Sequence, residues 1–265
     1  MTITLPLLHS LINAPLLVGN LPEASTFPRH HLTLPDTTPD LNLHQKLGHL
    51  YEDALGLLLT NSPRYDLLAQ NLQIQTDIHT TVGELDFLLR DLTSGQLIHL
   101  ELATKFYLAV ETDTGLTLPG PDARDNYFRK LTRLRTHQLQ LPRLSQSHLP
   151  PEFRHQAIVT QQLIYGCLFD HIESTAPATP ESLNPNCRRG KWLTIDHLLR
   201  HFPPDTTFQI IPKPLWPVPF ELLQNIPLEP WSATPSIDRC LMLKADDHHS
   251  PYFITPPNYP APGPT

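Results

Sequence analysis

Charge is scarce in this chain, and glycine and cysteine are scarcer still. Asp, Glu, Lys and Arg make up 17 % of its 265 residues, with ten glycines and three cysteines. Cys167, Cys187 and Cys240 are odd in number and show no C-x-x-C spacing. That excludes a disulfide framework and points to a reducing cytoplasm. Cys167 and His171 lack further ligands at zinc-motif spacing, so buried, inert thiols are expected. Long hydrophobic runs are missing too. The opening MTITLPLLHSLINAPLLVG is broken by Pro6 and Pro15, has no basic start and no cleavage signal, so it reads as a short core-docking helix, with no signal peptide or membrane span. Positive charge is in deficit: 19 Lys and Arg against 26 Asp and Glu leave a net charge of −7. Indiscriminate coating of nucleic acid needs a basic surface and is excluded, whereas a local basic groove is not. No internal repeat is present, and His30-His31 and His248-His249, without partner motifs, read as surface residues.

What is abundant is proline, thirty residues concentrated in loops and at both ends, which indicates rigid connections. Between them lies the most informative stretch, VGELDFLLRDLTSGQLIHLELATKFYLAV, residues 82–110. It predicts two alternating strands joined by a turn at Leu92-Thr93-Ser94-Gly95. Side chains alternate along a strand with a period of two. Glu84 and Asp86 therefore share a face, and Leu85, Phe87 and Leu89 the other. In the second strand Ile98, Leu100, Leu102, Thr104, Phe106 and Leu108 oppose His99, Glu101, Ala103, Lys105 and Tyr107. Burying Glu and Lys amid Leu and Phe costs several kcal/mol unless they are paired or metal-bound. Acids on adjacent strands beside a lysine suit phosphodiester chemistry with Mg²⁺ or Mn²⁺, because hard cations take oxygen ligands and activate water. The lysine would meet the charge on the phosphate.

Around this hairpin the spacing predicts a helix from Asn42, as its cap, to Thr60. Its buried stripe is Leu43, Leu47, Leu50, Ala54, Leu57 and Leu58, and Glu52 lies on the polar stripe with Gln45, Gly48, His49 and Gly56. A short strand is expected near 72–78 and a loop over 113–123. A second helix is expected from Ala123 to Leu139, with Tyr127, Leu131, Leu134 and Gln138 on its inward edge. Six of the nineteen Lys and Arg residues lie between Arg124 and Arg143. Arg129, Lys130, Arg133 and His137 recur at helical spacing and, with Arg124 and Gln138, form the candidate nucleic-acid contact. A strand is expected over 161–169, a polar loop near 174–190, a short helix over 193–202 and a strand over 207–211. The order helix, strands, helix, strand predicts a three-layer α/β core around a mixed sheet flanked by helices.

These residues resemble a known superfamily. Gly83-Glu84-x-Asp86 followed by Glu101-x-Ala103-x-Lys105 looks like the PD-(D/E)XK nuclease core, and Gly48-x-x-x-Glu52 like its first-helix motif. KLGHLYEDAL, GELDFLLRD, HLELATKFYL, GPDARD…RKLTRLRTHQL and YGCLFDH extend the similarity to an uncharacterised bacterial family, domain of unknown function family 1853, across most of residues 5–220. The resemblance implies a restriction-endonuclease-like core over residues 41–145. A helix and loop over 1–40 would pack on it, 146–250 would be a C-terminal extension of the same domain, and 251–265 a Pro-rich mobile tail. It also implies roles: Asp86 as central metal ligand, Lys105 as the lysine, Glu52 as the helix acid. The acid expected two residues before the lysine is Ala103 here. Glu101, about 7 Å further back along the strand, or Glu84 on the neighbouring strand, would replace it. The expectation is a cytoplasmic, metal-dependent phosphodiesterase acting on DNA, without a membrane partner. The alternative is a degenerate nuclease fold that binds nucleic acid or protein without cutting.

Overall fold

The structure, a computed structural model, describes residues 3–77, 79–232, 236–246 and 250–260. In chain order the elements are α1 (Thr4–Asn13), β1 (Ser25–Thr26), α2 (Leu47–Thr60), β2 (Tyr65–Asp77), β3 (Thr80–Asp91) and β4 (Leu97–Leu108). Then come β5 (Val110–Thr112), β6 (Gly115–Thr117), α3 (Tyr127–Thr136), α4 (Leu141–Leu144), β7 (Ile158–His171) and β8 (Arg188–Thr194). The chain continues through α5 (Ile195–His201), β9 (Phe208–Ile210), α6 (Phe220–Leu223), β10 (Glu229–Trp231), β11 (Leu241–Ala245) and β12 (Tyr252–Thr255). Among the described residues one mixed sheet of ten strands runs β10-β9-β11-β12-β8-β7-β4-β3-β2, with β1 on β7. β2, β3 and β4 form an antiparallel meander. β4, β7, β8 and β12 are mutually parallel.

Strand alternation sets the layers. Even-numbered Ile98, Leu100 and Leu102 of β4, with Phe87 and Leu89 of β3, pack against Leu7, Leu8 and Leu11 of α1 and Leu50, Tyr51 and Leu58 of α2. The odd face of β4, represented by Tyr107, packs with Ile164 and Leu168 of β7 against Tyr127 and Leu131 of α3. α1 and α3 therefore cover opposite faces of one sheet, which makes three layers. No helix among the described residues is long and apolar enough to cross a membrane.

The structure moves several boundaries. Asn42 does not cap α2: its side chain accepts from the His44 amide at 3.1 Å in a turn, and the helix begins at Leu47. α3 begins at Tyr127 because Asn126, in extended conformation, accepts from the Phe128 and Arg129 amides, an N-cap that satisfies otherwise orphaned donors. β2 starts seven residues before the expected strand and carries register shifts that disturb its alternation. The loop expected over 113–123 opens as the second half of a hairpin, with β6 inside it and β5 just before it. The tail expected from 251 is corrected at its start: Tyr252–Thr255 form a buried strand between β11 and β8, because YFIT supplies four consecutive apolar or β-branched side chains for a strand buried on both faces. His248 and His249 lie outside the described residues. All three cysteines are free and buried, and burial pushes the Cys167 thiol up to about 12, which fits inert thiols.

Candidate active site

The turn expected between the central strands is present: Asp91 Oδ1 accepts from the Thr93 and Ser94 amides, and Gly95 takes φ +73°. From there β3 and β4 pair as Leu89↔Ile98, Leu88↔His99 and Phe87↔Leu100, and no further. The next pair in this register would set Asp86 opposite Glu101, and like charges directly opposite are destabilising. The ladder ends there instead. Asp86 turns its carboxylate onto the neighbouring backbone, where Oδ2 accepts from the Leu102 amide at 2.7 Å. Beyond Leu100, β4 has no strand partner on this side among the described residues, and a cleft of about 1340 Å³ opens along its free edge.

Glu52, Asp86, Glu101 and Lys105 all line this cleft, as do Lys130, Arg133 and Gln138. The sequence-derived acids and lysine thus converge, with Ala103 between Glu101 and Lys105. Asp86 is held protonated well above the ordinary carboxylate range, by burial first and then by repulsion from Glu101. Burial likewise raises Glu101, against a side-chain hydrogen bond from Gln138, with Glu52 repelling it and Lys105 attracting it. Glu101 Oε2 is buried without a hydrogen-bond partner among the described residues. The nearest ring nitrogen, Nε2 of the fully buried His99, lies 3.6 Å away, and burial drives that imidazole down to about 3. Glu52 reaches the site from α2, bonded to His49 Nδ1 at 3.2 Å and Asn71 Nδ2 at 3.3 Å.

Other candidates stand elsewhere. Glu84 shares the face of Asp86 but does not line the cleft; burial raises its pKa, helped by repulsion from Glu52. Arg129 donates to the Arg124 carbonyl, Arg124 pairs with Asp122 at 3.4 Å, and His137 bonds Gln138 at 3.0 Å. None of these three side chains is part of the cleft wall. The basic stripe therefore divides, with only Lys130 and Arg133 facing the site. Sequence reasoning missed Asp125, whose Oδ2 lies 3.9 Å from Lys105 Nζ. It also missed Lys46, Lys213 and Arg239 in the walls. The one available signal for Asp125 was its place just before a helix cap.

Among the described residues no group of three or more His, Cys, Asp or Glu side chains could hold a metal ion. The donor set is a pair, Asp86 and Glu101, with Glu52 acting on both through its charge. A pair fits Mg²⁺ or Mn²⁺, since Mg²⁺ binds through one or two carboxylates and keeps waters and substrate phosphates for the rest. Two neighbouring carboxyls that cannot readily ionise together, one half-buried and one buried, and an orphaned carboxylate oxygen are what a bound cation would relieve. Cys167 and His171 have no such set, and His171 stacks edge-on to Trp192, with ring centroids 4.7 Å apart.

No curated protein and no solved structure matches the chain. The model of the family described as "Domain of unknown function (DUF1853)" matches residues 23–254, which include every site residue named above, and the chain belongs to that family.

Proposed function

We propose that the protein is a metal-dependent phosphodiesterase of the PD-(D/E)XK type, acting on DNA. One observation carries this reading: two carboxylates on adjacent strands, the half-buried Asp86 and the buried Glu101, share a cleft with Lys105. The helix, antiparallel meander, second helix and parallel strand formed by α2 to β7 support the restriction-endonuclease-like core implied by the sequence. When bound, a divalent ion supplies an activated water and neutralises the leaving oxygen. The chain's own groups do the rest. The Leu102 amide and Gln138 orient Asp86 and Glu101. Lys105 meets charge developing on the phosphate, and Lys130 and Arg133 contact the flanking backbone.

A binding module without chemistry is the second reading, and two observations favour it. Ala103 stands where the superfamily has an acid, and Asp125 engages Lys105. Cleavage assays with Mg²⁺ and with Mn²⁺ on plasmid and oligonucleotide DNA separate the two. The wild-type protein is expected to cut, and Asp86→Asn and Lys105→Ala each to lose about 10²-fold or more in rate, the size of effect seen when one group stabilising transition-state charge is removed. A wild-type protein that binds DNA but cuts none of it with either metal would establish the non-catalytic reading.

A further inference from the structure

The cleft has a second wall that the basic helix does not explain. Six of the chain's nineteen Lys and Arg residues line it: Lys46, Lys105, Lys130, Arg133, Lys213 and Arg239. They come from separate stretches of sequence. Lys46 precedes α2, Lys130 and Arg133 lie on α3, Lys213 follows β9, and Arg239 precedes β11. Among the described residues only Lys105 has a carboxylate within ion-pairing distance; the other five have none. Elsewhere Arg64, Arg135, Arg189 and Arg200 are each neutralised at 2.7–3.2 Å. Others without such a partner among the described residues, Arg90, Arg143 and Lys244 among them, stand outside the cleft, but five share this one cavity with the candidate carboxylates.

The two walls flank the free edge of β4 from opposite faces of the sheet. α3 covers the face of Tyr107, whereas Ile211, Leu215 and Trp216 pack with Phe106 and Leu108 on the other. Lys213 Nζ sits over the Trp216 ring, 5.8 Å from its centroid, an attraction that holds the ammonium at the wall. The C-terminal half is tied to the loop before α3 by Tyr259, whose hydroxyl donates to the Gly120 carbonyl at 2.8 Å, and by Cys240 on the Pro121 carbonyl. The cleft has as many carboxylates as cations along its walls, so it is formally neutral while the rest of the chain carries the whole of the −7. Cation binding at Asp86 and Glu101 would turn it positive.

We propose that Lys213 and Arg239 form a second phosphate-binding wall opposite Lys130 and Arg133, and that the two walls grip the backbone of a nucleic acid running over Asp86 and Glu101. The inference rests on the reading of this cleft as a nucleic-acid site.

Fluorescence anisotropy with fluorescein-labelled oligothymidine, and with the matching oligothymidine–oligoadenine duplex, tests this in buffer containing Ca²⁺. Wild type is expected to bind at least one of the two probes. Lys213→Ala/Arg239→Ala and Lys130→Ala/Arg133→Ala should each weaken that binding about tenfold. Each should also flatten the slope of log affinity against log salt, by about 1.4 for the single strand, at about 0.7 for each phosphate no longer neutralised, or by about 1.8 for the duplex, at about 0.9 for each. All four side chains are at least partly exposed, so melting temperatures should stay at the wild-type value. If one variant misfolds, Lys213→Gln/Arg239→Gln replaces it. Binding that falls for the α3 variant but is unchanged for Lys213→Ala/Arg239→Ala overturns the second wall and leaves the nucleic-acid reading intact. Wild type that binds neither probe overturns both the wall and the reading it rests on.

Discussion

Asp86→Asn is expected to raise the melting temperature of the metal-free protein, and to do so more as pH rises. The sign follows from linkage. Burial and the neighbouring Glu101 hold Asp86 above its ordinary value of 3.8, and burial holds Glu101 above 4.5. A carboxyl whose folded pKa is raised contributes stability in full below its unfolded pKa, and that contribution is lost as pH climbs through the folded value. The window for this pair opens near pH 4 and extends past neutrality. Other groups oppose it: Glu23 is lowered by the hydrogen bond from Arg135, and Asp91, against a burial that raises it, is lowered by Arg64 and the Ser94 and Thr93 amides; both favour folding at higher pH. The difference between wild type and variant is therefore the informative curve. Asn keeps the shape of Asp86 and its carbonyl can still accept from the Leu102 amide, while it removes the charge that repels Glu101. Mn²⁺ should raise the melting temperature of wild type at neutral pH and leave Asp86→Asn unmoved. A variant that melts below wild type across the whole range, with an equal response to Mn²⁺, would show that the carboxylates are not in conflict.

The second large effect belongs to the backbone behind Lys105. Gly166 of β7 pairs with Lys105 of β4 and adopts φ +149°. A Cβ placed there would lie 1.6 Å from the Lys105 carbonyl oxygen and 2.7 Å from its carbonyl carbon. Both are main-chain atoms in the middle of a parallel ladder, so neither can swing aside as the end of a side chain does. Gly166→Ala should cost about 4 kcal/mol or more, in the range reserved for named structural failures, and displace Lys105 from the cleft. Gly19→Ala is the control: nothing lies within 4 Å of a Cβ at that position, and the change should stay within about 0.5 kcal/mol. Urea denaturation of the two variants compares them directly. Similar midpoints would mean that the close approach at Lys105 is not a constraint on the fold.

Alternation and helical spacing made the site legible because both survive burial on two faces. The assignment of Asp86, Glu101 and Lys105 to one face of adjacent strands agrees with their shared cleft. Parity says which face a residue occupies but not how far along the strand the cleft extends, so Glu84 fell on the right face and outside the wall. Gln138 was expected within the second helix. α3 ends at Thr136, and a 3₁₀ turn over Gln138–Gln140 follows, which brings its amide to Glu101. Most of β2 was hidden because Tyr65–Asn71 interleaves polar and apolar residues irregularly, with a register shift between Leu67 and Ala69 and φ +54° at Asn71. The C-terminal wall carried no periodic signal. Lys213 sits among prolines, and Arg239 lies in a stretch with no regular element. Gly166 read as one residue of a buried strand, since its requirement comes from the neighbouring backbone and leaves no trace in the pattern.

The central claim is that Asp86 and Glu101 jointly hold a divalent cation, and anomalous diffraction from Mn²⁺-soaked crystals tests it most directly. The expected result is an anomalous peak within coordination distance of both carboxylates, in a cleft that also contains Lys105, and absent from crystals of Asp86→Asn. No peak between the two carboxylates at saturating Mn²⁺, or a peak that persists unchanged in the variant, would contradict it.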